Sequence, residues 1–401
     1  MKRNFSNEEI HKIVDENQSK AIDFLQKILQ IPSVTGNEKE IGAYIKKWFE
    51  ENLELPVKVY EKEPGRPNLV VDWTGNADGK RFVFNGHMDV FPPIPGDPGI
   101  YGPWSGKIAD GCLWGRGAAD MKGGLAAMIM AVYYMKKLGY VPNGTVTLSC
   151  DSDEENGGAS GVEYLLELGE LNGDFGLCAE PTNSCVMTEG TGGLWSEITY
   201  TAETAHSSIP INYPNAIQKA MKAAAAIDAF GKKLQKERYY EPFGVGPTCS
   251  VTMIEGGEAT NMYPARCTIK ADRRLFPGET ADMAEKEIRA VLDKLKEEDP
   301  SMEYEYKRGT TIPVYTINTD DEVVQEGLRA YREISGKETT VAQRPGGTDA
   351  HKIRDKYGYS IIIFATTDGY NEMCMPNEKY RIDDYLLSIK VYMKMVMDLL
   401  G

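Results

Sequence analysis

Histidine is scarce in this chain, with four residues at positions 11, 87, 206 and 351, so a site built from several imidazoles has few candidates. Basic residues are in deficit as well: 45 Lys and Arg stand against 60 Asp and Glu, a formal net charge of -15 at pH 7. A surface of that sign repels phosphate backbones and argues against nucleic-acid binding, although a local pocket can carry the opposite sign. No run of apolar residues approaches the ~18 needed to cross a membrane, so no membrane partner is expected. The start, MKRNFSNEEIHK, has no apolar stretch behind its basic residues and reads as a cytoplasmic N-terminus. The seven Cys, at 112, 150, 178, 185, 249, 267 and 374, form no CxxC pair. An odd count of that kind fits a reducing compartment, with most thiols simply buried. Internal repeats and low-complexity tracts are lacking too.

What is present is the composition of a globular protein, 41% hydrophobic and 26% charged, in 401 residues. That length exceeds what one hydrophobic core usually serves, so two or three domains are expected. Periodicity predicts one or two helices over 6–29, another over 38–51, and strand character over 55–73 broken by a PGRPN turn. The short apolar run 81–85 (RFVFN) reads as a buried strand, and 145–150 and 175–179 as further strands. Helices are expected over 121–137 and 159–168. Alternation of this kind marks an α/β domain with a largely parallel sheet. From about residue 185 the texture changes. Strands at 193–203, 248–255, 265–273 and 301–307 alternate with helices at 215–230 and 279–297 in the order β-α-β-β-α-β, a ferredoxin-like unit. It reads as an insertion over 184–310 in a domain made of 1–183 and 311–401. The second part of that domain holds a helix at 321–334, a strand at 359–365 and a last helix at 382–400.

Five side chains stand at or just beyond predicted strand ends: His87, Asp120, Glu154, Glu155 and Glu180. In open α/β sheets that edge is where ligands bind. One imidazole among several carboxylates is a suitable set for Zn²⁺ or Mn²⁺. Asp89, two residues beyond His87, is expected to reach the other imidazole nitrogen and fix its tautomer. In extended backbone the adjacent Glu154 and Glu155 point to opposite sides, so one can hold metal while the other faces substrate as a general base. A lone His-x-Asp or Asp-Glu-Glu is more often a solvated loop; it is the recurrence at strand ends within one domain that favours a shared site.

Eight segments are similar to the M20 family of metallopeptidases and amidohydrolases, the group of acetylornithine deacetylase, succinyl-diaminopimelate desuccinylase and glutamate carboxypeptidase-like enzymes. They are NGHMDVFP (85–92), GPWSGKIADGCLWGRGAADMKGG (102–124), SDEENGGASG (152–161), AEPT (179–182), TAHSSIP (204–210), NMYPARCTIKADRRLFPGE (261–279), PGGTDAHK (345–352) and MPNE (375–378). They span nearly the whole chain in the family's order. The resemblance implies a zinc-peptidase-like catalytic domain with an inserted ferredoxin-like dimerisation domain. It also implies one or two Zn²⁺ ions, with Mn²⁺ or Co²⁺ as alternatives. His87, Asp120 and Glu180 would surround one metal, and Asp120 would bridge to a second completed by Glu155. Glu154 would be the base that takes a proton from metal-activated water, with Asp89 orienting His87. His206 would reach the partner subunit's site in a homodimer, Asn261 and Arg274 would hold the substrate's carbonyl or carboxylate, and the Gly347 loop would line the pocket with backbone donors.

One position departs from the family pattern. Where the family has His four residues before the Glu of the final NE pair, this chain has Cys374. A thiolate is a competent zinc ligand, so three outcomes stay open: Cys374 completes the second site, the enzyme uses one metal, or the second site is weak or altered. The function implied is hydrolysis of an amide or peptide bond in a small N-acyl amino acid or short peptide. Hydrolysis of a carbamoyl or aryl-amide C–N bond on the same scaffold is the alternative, and a non-catalytic metal-binding protein the more remote one.

Overall fold

The computed structural model describes residues 5–367 and 373–401. The chain divides into two units, one of Met1–Thr188, Ile317–Ala342 and Thr348–Gly401, the other of Glu189–Thr316 and Gln343–Gly347.

The first unit is built on a twisted sheet whose successive strands are Val57–Glu61, Pro67–Thr74, Gly144–Asp151, Lys80–His87, Phe175–Cys178 and Ser360–Ile363. The last four run parallel to one another, and the first two join antiparallel at the edge. The mixed α/β fold expected from the alternating pattern is therefore present. Parallel strands are covered on both faces, which explains why Phe82, Val83 and Phe84 form an unbroken apolar run and why Val146 and Leu148, with Thr145, Thr147 and Ser149 between them, lie on a strand buried throughout. The helix Lys122–Lys137 is buried on almost every side, as a helix that is apolar all round must be, and it packs against Ile382–Leu399 and the strand Lys80–His87. The expected helical stretch 6–29 is two helices, Asn7–Glu16 and Gln18–Leu29, parted at Asn17.

A small antiparallel sheet of Lys107–Ala109, Cys112–Trp114 and Lys379–Arg381 has no counterpart in the sequence reading. Strands of three residues are too short to show a period. This sheet nonetheless fixes a functional segment, because the Gly115 amide donates to the Glu378 carbonyl at 3.0 Å where two of its strands end.

The second unit has the order β-α-β-β-α-β: Gly192–Thr201, Ala216–Glu237, Cys249–Gly256, Arg266–Leu275, Ala281–Glu298 and Tyr304–Ile312. Its strands pair antiparallel throughout, with the first and third in the middle of the sheet. This is the ferredoxin-like arrangement. Alternate strand residues Leu194, Ile198, Tyr200, Cys267, Ile269 and Ala271 form its core against the two helices. Asn215 starts the first helix with a capping box completed by Gln218, and Thr280 caps the second. Among the described residues no helix is long and apolar enough to cross a membrane.

Gly124 shows how tightly the first unit is packed. A Cβ there would stand 1.7 Å from the carbonyl oxygen of Ala179, the residue before Glu180. Gly124→Ala is expected to destabilise the protein by about 1–3 kcal/mol in urea unfolding, because backbone must move to admit the methyl group. Unchanged stability would contradict that packing.

Candidate metal centre

His87 is the last residue of the strand Lys80–His87, paired with Asp151 of the neighbouring parallel strand. The Met88 amide donates to the Asp151 carbonyl at 2.7 Å, so the chain leaves the sheet held to its neighbour. The imidazole is 1% exposed. Its Nδ1 stands 2.9 Å from the backbone carbonyl oxygen of Asp89. A carbonyl only accepts, so Nδ1 carries a proton, and in the neutral ring the lone pair is on Nε2.

Three carboxylates face that lone pair. Asp120 Oδ1 lies 3.3 Å from Nε2, Glu180 Oε1 3.4 Å and Glu154 Oε2 3.9 Å. Nε2 is buried, yet it has no partner in hydrogen-bonding geometry. Two sets of ligand atoms close enough to share an ion result: His87 with Asp120 and Glu155, and His87 with Glu154 and Glu180. An acceptor surrounded by acceptors is unfavourable unless positive charge lies among them. In the metal-free protein that charge is protonic. The pKa of His87 is raised well above its ordinary value, burial opposing the shift while Asp120 and Glu180 outweigh it. Burial first, then neighbouring carboxylates, raises the carboxyls of Glu154 and Glu180 and pushes Glu155 up to about 11. A divalent cation supplies the same charge without protons. One nitrogen with several carboxylate oxygens is a donor set that Zn²⁺ or Mn²⁺ accepts, so the residues present fit a metal.

Each ligand has its own support. Glu155 and Glu154 lie on a single 3-10 turn, Glu154–Asn156, after the strand Gly144–Asp151. The sequence reading expected extended backbone here; in a turn of about three residues the two side chains diverge by rotation instead, and each enters a different ligand set. Asp89 departs from expectation too. Its carboxylate Oδ1 is 3.7 Å from Nδ1, and it is the backbone carbonyl that takes the ring proton. The carboxylate instead accepts from the amides of Glu154 at 3.1 Å and Glu155 at 3.3 Å and from the Thr35 hydroxyl at 2.8 Å. The reason is geometric: two residues past a strand end, the main chain of Asp89 lies closer to the ring than its side chain does.

Sequence reasoning passed over Glu378 and Arg116 as site residues. One Glu378 oxygen accepts the amides of Ala119 and Asp120, both at 2.9 Å, and the other takes the Arg116 guanidinium at 2.9 Å. This buried carboxylate thereby sets the backbone that carries Asp120. The Asp120–Met121 peptide is cis, which no sequence signal announced. Glu378 lies in MPNE (375–378) and Arg116 in the GRG run (115–117), but neither a charge pattern nor a period marks what they touch.

Cys374 joins neither ligand set among the described residues. Burial, then the carboxylates of Asp120 and Glu155, raises its thiol pKa. The remaining candidates lie in the second unit. Asn261 Nδ2 is 3.3 Å from His206 Nε2, and His206 Nδ1 is 2.8 Å from the Ser208 hydroxyl. The Arg274 guanidinium is engaged by Asp272 on its own strand at 3.0 and 3.2 Å. Beside Gly347, the Gly346 amide donates to Thr191 Oγ1 at 3.0 Å.

The family model described as Peptidase family M20/M25/M40 matches residues 83–398. A probable succinyl-diaminopimelate desuccinylase of Staphylococcus aureus is 24% identical over 400 residues, covering 93% of this chain and 96% of that protein. A succinyl-diaminopimelate desuccinylase of Methylorubrum extorquens is 28% identical over 344 residues, 82% of this chain and 87% of that one. Among solved structures, an M20 family metallo-carboxypeptidase from Sulfolobus solfataricus has the same fold, with a TM-score of 0.78 at 20% identity over 94% of this chain and 98% of that chain.

Protons held by the metal-free cluster must leave when a cation enters. Affinity for Zn²⁺ is therefore expected to rise as pH rises through neutrality, with roughly one or more protons released per ion. Calorimetry in two buffers of different ionisation enthalpy measures this. Binding without proton release, or tighter binding at lower pH, would contradict the arrangement.

Proposed function

This chain belongs to peptidase family M20/M25/M40 and is a hydrolase of amide bonds, and we propose that it cleaves that bond in a small N-acyl amino acid or a short peptide, with Glu154 as the general base. The observation that carries this reading is the buried His87 Nε2, ringed by Glu154 and Glu180 from just past the ends of the strands Gly144–Asp151 and Phe175–Cys178 and by Asp120 from just before the helix Lys122–Lys137. The two relatives described as desuccinylases support an N-succinyl amino acid within the substrate class.

In this reading His87, Asp120, Glu155 and Glu180 hold one or two Zn²⁺ ions, with Mn²⁺ or Co²⁺ able to take their place. When bound, the ions supply a Lewis acid that lowers the pKa of water and polarises the amide carbonyl. The chain's own work is proton transfer and positioning. Glu154 takes a proton from the attacking water as oxygen adds to the carbonyl carbon, then delivers it to the amine nitrogen as the C–N bond breaks. The products are a carboxylate and a free amine. Asp89 keeps Glu154 and Glu155 in place through their amides, and Glu378 does the same for Asp120. The reading further includes a cytoplasmic homodimer in which His206 reaches the partner subunit's site, with Asn261, Arg274 and the Gly347 loop meeting the substrate. For Arg274 to bind a carboxylate it must exchange the Asp272 side chain for it, which suits reversible binding at a half-exposed guanidinium.

A panel of N-acetyl amino acids, N-succinyl amino acids and dipeptides, assayed for metal-dependent amine release, tests the substrate class. Glu154→Gln is expected to lower kcat by at least about 10²–10⁴-fold while metal content measured by mass spectrometry stays unchanged. A Glu154→Gln enzyme with normal turnover would overturn the assignment of the base.

A further inference from the structure

Both glutamates of the centre ride on one short turn. Glu154–Asn156 is three residues of 3-10 helix, closed by the Gly157 amide donating to the Glu154 carbonyl at 2.8 Å and by the Asn156 and Gly158 amides donating to the Asp153 carbonyl at 3.2 and 2.6 Å. Its leading residue, Asp153, has φ +71°, a left-handed conformation that Asp adopts more readily than most residues with a side chain. These bonds shape the turn but do not fix where it stands against the sheet, and that placement comes from contacts outside it. Two restraints act at its amide end. Asp89 accepts the N–H groups of both glutamates. The Asp153 carboxylate is held by the Arg66 guanidinium at 2.7 Å and the Ser160 amide at 2.9 Å.

At the carbonyl end a single side chain provides the restraint. Lys352, on the helix Asp349–Tyr357, directs its ammonium onto the Gly157 carbonyl oxygen. Its second contact is Glu163 Oε1 at 2.6 Å, in the first turn of the next helix, Val162–Leu168. Lys352 is 8% exposed, whereas the Glu163 side chain is 38% exposed. A half-exposed ion pair is worth little; the buried ammonium is offset by its charge-assisted bond to the backbone carbonyl and by the field of the buried Asp349 carboxylate on its own helix.

We propose that Lys352 is a positioning residue for the hydrolysis: its ammonium fixes the carbonyl end of the Glu154–Asn156 turn as the Asp89 carboxylate fixes the amide end, so that both glutamates are held facing the metal centre. This rests on the roles given above to Glu154 and Glu155. It assigns Lys352 no contact with substrate or metal. The two restraints come from distant parts of the chain, and their charges suit the groups they meet, a carboxylate on N–H donors and an ammonium on a C=O acceptor.

The test compares Lys352→Met, which keeps length without charge, with Lys352→Arg and Glu163→Gln. Lys352→Met is expected to lower kcat about 10–100-fold per metal-loaded site, the usual cost of losing support behind a metal ligand or base, with KM changed less than about threefold. In the metal-free protein, amide hydrogen exchange over 154–158 should quicken in Lys352→Met and stay unchanged in the other helices of the same unit. Lys352→Arg should recover most of the lost kcat, and Glu163→Gln should remain within about twofold of the parent. Wild-type kcat and exchange in Lys352→Met would overturn the proposal. So would an equal loss in Glu163→Gln, which would move the role from the Gly157 carbonyl to the surface pair. A parent enzyme inactive on every substrate would refute the proposed function instead, and the exchange result would still decide the clamp.

Discussion

The structure depends on a lone pair aimed at negative charge. Because the Asp89 carbonyl holds a proton on Nδ1 of His87, Nε2 is the nitrogen that faces Asp120, Glu154 and Glu180, and among those carboxylates it calls for either a proton or a metal ion. Taking several carboxylates out of water costs several kcal/mol per ion unless opposite charge accompanies them. The chain accepts that cost at one point, where parallel strands end and backbone can present side chains from several directions into a single cleft. Everything around the point serves to keep the carboxylates from moving apart.

That support is backbone-directed to an unusual degree. Glu378 secures Asp120 through two amides, and Asp89 secures Glu154 and Glu155 through theirs. Beneath them Asp151 accepts from Asn85 at 2.5 Å and from Ser149, which fills the space below His87 with satisfied polar groups rather than apolar ones. Fixing main chain rather than side chain leaves the ligand oxygens free to adjust to an ion while the turn or strand end that carries them stays put. A metal bound here adds its binding free energy to folding, since the ligands converge only in the folded chain.

Much of this was legible in the sequence, and the pattern of what was not has physical causes. Long periodic segments such as Ala216–Glu237 and Arg266–Leu275 declare themselves because one face meets a core and the other meets water. The five clustering residues, His87, Asp120, Glu154, Glu155 and Glu180, were visible because acidic and imidazole side chains stop apolar strands, and the resemblance to a known family then joined them. Short or irregular backbone stayed hidden: the three-residue strands around Cys112–Trp114, the 3-10 turn at Glu154, and the cis peptide before Met121. Hidden for the same reason were groups that act on main chain. That Asp89 grips amides, that Glu378 sits behind Asp120, and that Lys352 reaches Gly157 across nearly two hundred residues all follow from where backbone lies, which no side-chain pattern encodes.

The most direct measurement is anomalous diffraction at the zinc edge from crystals grown with the metal. The account predicts an ion about 2.0–2.2 Å from His87 Nε2, with oxygens of at least two among Asp120, Glu155 and Glu180 completing its shell. An ion bound elsewhere, with Nε2 protonated and hydrogen-bonded to a carboxylate in fully loaded protein, would contradict it.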